Sequence, residues 1–205
     1  MTRPLVAVLD YGIGNLRSAQ KALQHVGADA RLTSDRDVID AAIAVVLPGV
    51  GAFGPCMAAM EATRLDVAAR EVVADGRPFL GICVGMQLLY EGSEESPGRP
   101  GLGILPGMVR LLPEGVKRPQ MQWNVLEVTR PTPLFQGLPS EPWVYFVHSY
   151  APDDSVNAVG VCDYGGKVVA AVERDNVSAV QFHPEKSGDV GLQMLANFVR
   201  LSATR

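Results

Sequence analysis

The stretch that decides the fold is Pro78-Phe-Leu-Gly-Ile-Cys-Val-Gly-Met-Gln87, a short apolar run that ends in a turn rich in small residues. Such a run, followed by an amphipathic stretch, is typical of a buried strand that leads directly into a helix. We predict a strand over 78–82 and a helix that ends near Glu91. The turn between them places Cys83 at the carboxyl end of the strand.

The same order of strand, glycine-rich turn and helix occurs twice earlier in the chain. Apolar runs at 5–9 and 43–47 lead into glycine-rich turns, and we predict helices that follow them to about Val26 and Ala74. A repeated unit of this kind predicts a parallel sheet covered by helices. Ligands of such sheets bind beyond the carboxyl ends of the strands, so we expect the three turns to face one cleft.

The pattern changes after Gly107, where short apolar runs follow one another without helical periodicity. The predicted strands there are 108–112, 124–128, 144–150, 156–162, 168–174 and 177–182, and a last helix is predicted over 188–201. We therefore expect an α/β fold with an open, mostly parallel central sheet flanked by helices and a mixed or antiparallel C-terminal portion. One domain over residues 1–205 is the simplest organisation.

The composition excludes several classes of protein. The 205 residues are 47% hydrophobic and 20% charged, with 21 glycines and 15 prolines, which is typical of a compact globular chain and not of coiled coils, collagens or disordered segments. The net charge of -4 supplies no positive field for a nucleic acid or an anionic membrane, so neither is expected as a partner.

The cysteines and the apolar segments indicate in which cellular compartment the protein is expected. Cys56, Cys83 and Cys162 are odd in number and lack metal-ligand spacing, which favours reduced thiols in the cytoplasm over disulfides or a metal site. The apolar run at 5–9 is too short for a signal peptide. The uncharged stretch 41–60 is interrupted by proline and several glycines, which argues against a membrane span.

The turn Gly81-Ile-Cys-Val-Gly85 is the best candidate for a nucleophilic site. Small residues on both sides of Cys83 permit the tight, strained turn of a nucleophile elbow, which projects the side chain into the cleft. A helix that begins directly after the cysteine favours the thiolate and leaves the Val84 N–H free to face an oxyanion. The alternative is that Cys83 is a buried structural thiol, as free cysteines commonly are.

The segment Gln181-Phe-His-Pro-Glu185 supplies a second set of reactive groups. Side chains two positions apart on an extended segment share one face, so Glu185 is placed to orient the His183 ring. A base held by a carboxylate is what a nucleophile requires. The alternative is a structural histidine next to a solvated carboxylate.

A third motif, Gly49-Val-Gly-Ala-Phe-Gly54, matches the dinucleotide-binding pattern of three glycines after a strand. The acidic residue that binds a ribose should end the next strand, but Cys83 stands there. The first turn of the chain also lacks a third glycine, because Arg17 takes its place. We interpret the motif as a backbone loop that presents an amide to a developing negative charge.

Together these motifs resemble those of a known family, the class I (triad-type) glutamine amidotransferases, and most closely the subgroup of glutaminase subunits of imidazole glycerol phosphate synthase. The residues that carry the resemblance are Asp10-Tyr-Gly-Ile-Gly-Asn-Leu-Arg-Ser18, Pro48-Gly-Val-Gly51, Gly81-Ile-Cys-Val-Gly-Met-Gln87, Tyr145-Phe-Val-His-Ser-Tyr150 and Gln181-Phe-His-Pro-Glu-Lys-Ser-Gly188. The resemblance covers the chain from about residue 5 to about residue 200.

The resemblance implies an activity and a site. Cys83 is the expected nucleophile towards the glutamine carboxamide, His183 the acid and base, and Glu185 the group that orients the ring. The backbone N–H groups of Val50 and Val84 are expected to form the oxyanion hole. Glutamine binding is carried over to Gly51, Gln87, Glu95 and the main chain at Ser149 and Tyr150; for Glu95 the alternative is a solvated charge. No metal and no organic cofactor are implied.

The resemblance also implies a partner, a (β/α)8-barrel cyclase that forms a heterodimer with the glutaminase and uses its ammonia in histidine biosynthesis. Asn15, Tyr145 and Lys186 match positions near the docking face; for Lys186 the alternative is an exposed lysine without a partner. Trp123 lies in a segment expected near the interface, and we expect it to pack against the cyclase. Because the glutaminase motifs occupy nearly the whole length, we expect the ammonia to be delivered to another polypeptide.

One segment, Pro119-Gln-Met-Gln-Trp-Asn124, departs from the subgroup, which has histidine where this chain has Gln120 and glycine where it has Gln122. This departure puts the coupling to the partner in doubt and leaves the triad unaffected. Two other functions stay open: a glutaminase for another synthase or a different cysteine hydrolase on this scaffold, and a binding module without catalysis.

Overall fold

The computed structural model describes residues 3–14 and 16–203. Its helices and strands are, in chain order, β1 (Leu5–Leu9), α1 (Leu16–His25), β2 (Asp29–Thr33), α2 (Arg36–Ala41), β3 (Ala44–Gly49), α3 (Phe53–Ala62), α4 (Leu65–Ala74), β4 (Phe79–Cys83), α5 (Val84–Gln87), β5 (Gly92–Ser93), β6 (Met108–Leu111), β7 (Gln120–Val125), β8 (Glu127–Val128), β9 (Trp143–His148), β10 (Tyr150–Pro152), β11 (Ala158–Asp163), β12 (Lys167–Arg174), β13 (Val177–Val180) and α6 (Gly188–Ala203). Short 3-10 helices lie at Pro133–Phe135 and Pro184–Lys186.

The central sheet confirms the predicted α/β fold. Its strand order is β2-β1-β3-β4-β13-β12-β11-β8. The pairs from β2 through β13 are parallel, and those from β13 to β8 are antiparallel. The antiparallel portion comes from the C-terminal half of the chain, as the change of pattern after Gly107 predicts.

The middle strands β3 and β4 are buried along their whole length. Their sequences, Ala-Val-Val-Leu-Pro-Gly and Phe-Leu-Gly-Ile-Cys, are continuous apolar runs because a parallel strand covered on both faces has no solvent side. The register pairs Gly49 with Cys83 and Ile82 with Val180. The carboxyl ends of three neighbouring strands, β3, β4 and β13, therefore meet at one edge.

The structure corrects the predicted elements at several points. The predicted strand 124–128 is divided between β7 and β8, and the predicted strand 144–150 between β9 and β10, which in each case belong to different sheets. The unit β2–α2 was not predicted. The helix expected up to Ala74 is two helices, because Arg64 adopts a left-handed conformation with φ 58° and breaks the helical path.

The helix expected to end near Glu91 ends at Gln87. After Leu88, whose N–H still donates to the Val84 carbonyl, the N–H groups of Leu89 and Tyr90 donate to carbonyls three residues back. The loop 102–105 donates to the carbonyls of Leu88, Leu89 and Tyr90. These long-range hydrogen bonds replace the helical ones that the local sequence favours.

Strands β7 and β9 form a two-stranded antiparallel ribbon beside the central sheet. The side chains of Gln120, Phe146 and His148 point inward and are buried, whereas Met121, Trp123 and Trp143 are exposed. None of the helices in the described part of the chain is both long enough and apolar enough to cross a membrane.

Candidate active site

The turn at Cys83 has the geometry of a strained elbow. Cys83 is buried and has φ 55° and ψ −114°, a conformation that is unfavourable for any residue with a side chain. A Cβ at position 85 would lie 1.8 Å from the carbonyl oxygen of Leu47, so only glycine fits between the turn and β3. The close packing of Gly85 against β3 holds Cys83 in this conformation.

His183 and Glu185 form the predicted pair. His183 Nδ1 lies 2.7 Å from Glu185 Oε1, and both side chains are almost completely buried. Proline follows the histidine and opens the 3-10 helix Pro184–Lys186, which turns the carboxylate back towards the ring. A carboxylate acceptor on Nδ1 fixes the proton there and leaves Nε2 as the reactive nitrogen.

The electrostatics of His183 favour the charged ring. Burial by itself lowers the pKa of His183, but the interactions with Cys83 and Glu185 are stronger and raise this pKa to about 10. Its Nε2 atom is buried and has no hydrogen-bond partner within the described residues. His183 is thus placed to hold a proton next to the sulfur and to give it to a bound molecule.

A cavity of about 240 Å³ opens above Cys83. It is smaller than typical pockets for drug-sized ligands, roughly 300–1,000 Å³, and so suits a small substrate. It is lined by Val50, Gly51, Cys83, Val84, Gln87, Glu95, Pro119, Val147, His148, Ser149, Tyr150 and His183. The cavity brings together every residue predicted for the oxyanion hole and for glutamine binding.

Gln87 lies at the floor of this cavity in an amide network that the sequence did not predict. Gln87 Nε2 donates to the Tyr150 carbonyl at 2.9 Å and to Gln181 Oε1 at 3.1 Å. Gln181 Nε2 in turn lies 3.7 Å from the Cys83 sulfur. The sequence does contain a signal for Gln181: side chains alternate between the two faces of an extended segment, so Gln181 lies on the same face as His183, two positions later.

Glu95 makes a contact within the chain. Its Oε2 accepts from the Phe53 N–H at 2.7 Å, and Ser96 Oγ accepts from the Gly54 N–H at 3.0 Å. The two side chains therefore cap the amino end of α3. This end is where a dinucleotide phosphate would bind, so the glycine motif at 49–54 serves a turn and a helix cap instead.

The loop that carries Val50, which is predicted to contribute to the oxyanion hole, is held by two contacts. The Tyr11 hydroxyl donates to the Pro48 carbonyl at 2.8 Å, and the Cys56 sulfur lies 3.5 Å from the Val50 carbonyl oxygen. Gly51 has φ 100°, which glycine adopts without strain. The peptide group that carries the Val50 N–H therefore lies between Pro48, whose carbonyl is hydrogen-bonded, and Gly51, which adopts a positive φ without strain.

His148 lines the cavity as a neutral ring. Burial lowers the pKa of His148 to about 4, with a further small lowering by His183. Its Nδ1 lies 2.8 Å from the Tyr150 carbonyl, which only accepts, so Nδ1 carries the proton. Its Nε2 lies 3.0 Å from Gln120 Oε1, and Gln120 Nε2 lies 3.8 Å from the Cys162 sulfur. Because a neutral ring accepts at Nε2 and the two ends of a carboxamide are assigned from the hydrogen-bond network, the neutral ring requires the reversed Gln120 amide, with its NH2 group facing His148.

The predicted interface residues take different positions. Trp123 and Tyr145 stand side by side on the ribbon, with ring centroids 6.0 Å apart. Lys186 is exposed and follows Glu185 directly. Asn15 lies outside the described residues. Gln122 is exposed in the extended strand β7, where no positive φ is required, so the missing glycine causes no strain at this position.

Among residues 3–14 and 16–203, no cluster of three histidine, cysteine or acidic side chains has the arrangement of a metal site. The chemistry that this site supports is that of a buried cysteine next to an imidazole that takes up the thiol proton, in a small cavity also lined by Val50, Gly51 and Val84. This arrangement is suited to nucleophilic attack on a carbonyl carbon.

The comparisons with known proteins agree with this chemistry. The family model for class-I glutamine amidotransferases matches residues 7–201, and the chain belongs to this family. Solved structures share the fold at low identity: a crystal structure of a glutamine amidotransferase (TM-score 0.76, 22% identity, 97% of this chain and 98% of that chain) and a structure of PurLQS from Thermotoga maritima (TM-score 0.77, 21% identity, 97% and 99%).

Within the class, the chain is similar along its whole length to proteins named imidazole glycerol phosphate synthase subunit HisH. The relative from Methanothermobacter thermautotrophicus is 48% identical, with 96% of this chain and 98% of the relative covered. The relative from Thermosynechococcus vestitus is 52% identical, with 98% and 99% covered. At this identity and coverage, the chain is a member of the HisH family of synthase subunits.

Proposed function

We propose that the chain is the glutaminase subunit of an imidazole glycerol phosphate synthase and acts in the cytoplasm as one glutamine amidotransferase domain. It hydrolyses glutamine to glutamate and ammonia and passes the ammonia to a cyclase. The observation that carries this proposal is that His183, paired with the buried Glu185, lines one cavity with the strained Cys83. The relatives named HisH, at 48% and 52% identity, support the choice of synthase.

The reaction follows from the positions of the three side chains. The Cys83 sulfur attacks the carboxamide carbon of glutamine, and the thiol proton passes to His183 Nε2. The electron pair of the carbonyl bond moves to oxygen, where the N–H groups of Val84 and Val50 stabilise the charge. When the C–N bond breaks, His183 returns its proton to the leaving nitrogen, and ammonia departs. Water then hydrolyses the glutamyl thioester, and the thiol is regenerated.

Glutamine is bound by groups that line the cavity. Gln87 uses both amide hydrogens within the protein, so its Oε1 is the atom that accepts from the substrate. Glu95 uses Oε2 to cap α3, which leaves Oε1 for the substrate ammonium. The main chain at Gly51, Ser149 and Tyr150 supplies the remaining polar contacts.

The ribbon supplies the docking surface for the cyclase, which by the family resemblance is a (β/α)8-barrel. Trp123 is 47% exposed and Trp143 is 50% exposed, and residues of this type are enriched at the centres of protein interfaces. The ribbon also contacts the catalytic loop, because the Tyr145 carbonyl accepts from the His183 N–H at 3.0 Å. Tyr145 N–H donates to Ser187 Oγ at 3.0 Å. Docking thus occurs on the strand that supports His183.

Glutamine hydrolysis is the first test. The Cys83→Ala variant is expected to lose glutamine-dependent synthesis by the complex and to keep ammonia-dependent synthesis, because only the thioester step needs the thiol. Cys162→Ala removes another buried thiol and serves as the matched control, with both reactions retained. Glutamine-dependent turnover by Cys83→Ala would contradict the assignment of the nucleophile.

The comparison of glutamine hydrolysis with and without the cyclase and its nucleotide substrate tests the partner. We expect stimulation, because a glutaminase that supplies a synthase is useful only when an acceptor is bound. Hydrolysis that the cyclase leaves unchanged would favour a glutaminase for another synthase or a different cysteine hydrolase. A glutamine-like electrophile that fails to alkylate Cys83 would favour a binding module.

The docking surface is tested by Trp123→Ala. Loss of a half-exposed tryptophan from an interface centre is expected to weaken binding of the cyclase at least about tenfold, as measured by calorimetry. Val156→Ala is the control, because Val156 is 80% exposed and lies outside the ribbon. Equal affinity of Trp123→Ala and the parent would place the interface elsewhere.

A further inference from the structure

Gln181 is a polar side chain next to the Cys83 sulfur that the reaction above does not use. It follows β13, whose Val180 pairs with Ile82 on β4, so it stands beside Cys83 across the sheet. Its side chain is fully buried, and its backbone N–H donates to the Ala170 carbonyl at 2.8 Å. Both ends of its carboxamide have partners in the described structure.

The direction of the amide network is fixed from the Tyr150 end. A backbone carbonyl only accepts, so Gln87 must present its NH2 group to Tyr150. The second hydrogen of that group points to Gln181, whose oxygen must therefore face Gln87. The NH2 group of Gln181 is then left facing the sulfur of Cys83, at 3.7 Å.

We propose that Gln181 is a positioning residue whose amide N–H, oriented through Gln87, holds the Cys83 sulfur as a thiolate directed into the cavity. A thiol sulfur is a weak acceptor, whereas a thiolate accepts a charge-assisted hydrogen bond, so the contact favours the reactive form. His183 receives the proton, and Gln181 stabilises the charge that remains. The inference rests on the proposed function, because it assigns a role within the same site.

The same network carries a second role for Gln181. Its oxygen keeps the Gln87 amide from rotating, so that Gln87 Oε1 stays available to the substrate. Loss of Gln181 therefore affects both the reactivity of the sulfur, seen in kcat, and the orientation of Gln87, seen in KM. A merely structural side chain would change neither the pH dependence of the sulfur nor the affinity for glutamine.

The test is the pH dependence of Cys83 alkylation by iodoacetamide, in which the sulfur displaces iodide. Peptide mass spectrometry follows Cys83 separately, and the buried Cys56 and Cys162 act as internal references. Gln181→Met keeps the volume but removes both hydrogen bonds, and we expect its alkylation midpoint about one pH unit above that of the parent. Gln181→Asn is one methylene shorter and should shift the midpoint in the same direction by less.

Asn197→Leu is the matched control. Asn197, on α6, is another fully buried amide, and it donates to the carbonyls of Leu134 and Gln136, in and directly after the 3-10 helix Pro133–Phe135, away from the cavity. This variant is expected to lose stability, by thermal unfolding, and to keep the parent midpoint. The proposal is overturned if folded Gln181→Met and Gln181→Asn keep the parent midpoint, or if Asn197→Leu shifts it equally.

Two further measurements separate this proposal from the proposed function. In the parent, the side-chain amide NMR signal of Gln181 is expected to change with the same pH midpoint as the alkylation rate, and a signal that is insensitive to pH would overturn the proposal. A parent that fails to hydrolyse glutamine with the cyclase would refute the glutaminase. The alkylation midpoints would still decide the role of Gln181.

Discussion

His148 makes the stability of the fold depend on pH between about 4 and 6.5. Its pKa is lowered from 6.5 to about 4, chiefly by burial. The unfolded chain therefore takes up a proton as the pH falls below 6.5, whereas the folded chain takes it up only near pH 4. The contribution of the neutral ring to stability is complete above pH 6.5 and is lost as the pH falls through this window.

The displacement of the His148 pKa from 6.5 to about 4 corresponds to about 3 kcal/mol of unfolding free energy. The perturbation is His148→Gln, which keeps a polar side chain near the Tyr150 carbonyl and removes the titrating ring. The free energy of unfolding is measured in urea by far-ultraviolet circular dichroism between about pH 7 and pH 4. Carboxylates titrate in both proteins, so their effects cancel in the difference.

We expect the parent to lose about 3 kcal/mol more than His148→Gln across this range, even though the variant is less stable at neutral pH because of lost hydrogen bonds. His25→Gln is the control, since it removes an exposed histidine of α1, and it should follow the parent. Parallel pH profiles for the parent and His148→Gln would refute the reasoning, because they would mean that the ring protonates normally inside the fold.

Two further predictions concern the turn and the catalytic pair. Gly85→Ala places a Cβ 1.8 Å from the Leu47 carbonyl oxygen and is expected to cost about 3 kcal/mol or more in urea unfolding; wild-type stability would disprove the contact. Glu185→Gln should lower glutamine turnover on the order of 100-fold. In the parent, the stabilisation that accompanies the raised His183 pKa is complete below pH 6.5 and is lost as the pH rises to about 10. Because Glu185→Gln removes one cause of the raised pKa, the free energy of unfolding of this variant should fall less over the same pH range.

The parts of the structure that follow from local sequence were predictable. The glycine-bounded turn at Cys83 needs only its neighbours to be recognised, and the spacing of His183 and Glu185 puts both groups on one face of an extended segment. Parallel strands that end in such turns bring them to one edge, which is why Val50, Cys83 and His183 line one cavity. Glu95, Ser149 and Tyr150 line the same cavity, but they were predicted from the family resemblance and not from local sequence.

The remaining features depend on contacts far apart in the sequence. The helix after Cys83 is short because the carbonyls of the residues that follow it accept hydrogen bonds from a loop more than ten residues later. The role of Gln181 depends on Gln87 and Tyr150, which no local pattern links to it. Gln120 was expected to affect the partner interface, yet the alternation of β7 turns it inward onto His148. Such effects appear only when the strand pairing is known.

The ribbon has a practical consequence for spectroscopy. The chain contains two tryptophans, Trp123 and Trp143, and both stand half-exposed on this one element. Intrinsic tryptophan fluorescence therefore reports on the proposed docking face without any label, and a blue shift on addition of a partner that lacks tryptophan measures its burial directly. The same signal is a poor reporter of global unfolding, because both indole rings are already in contact with water in the folded chain.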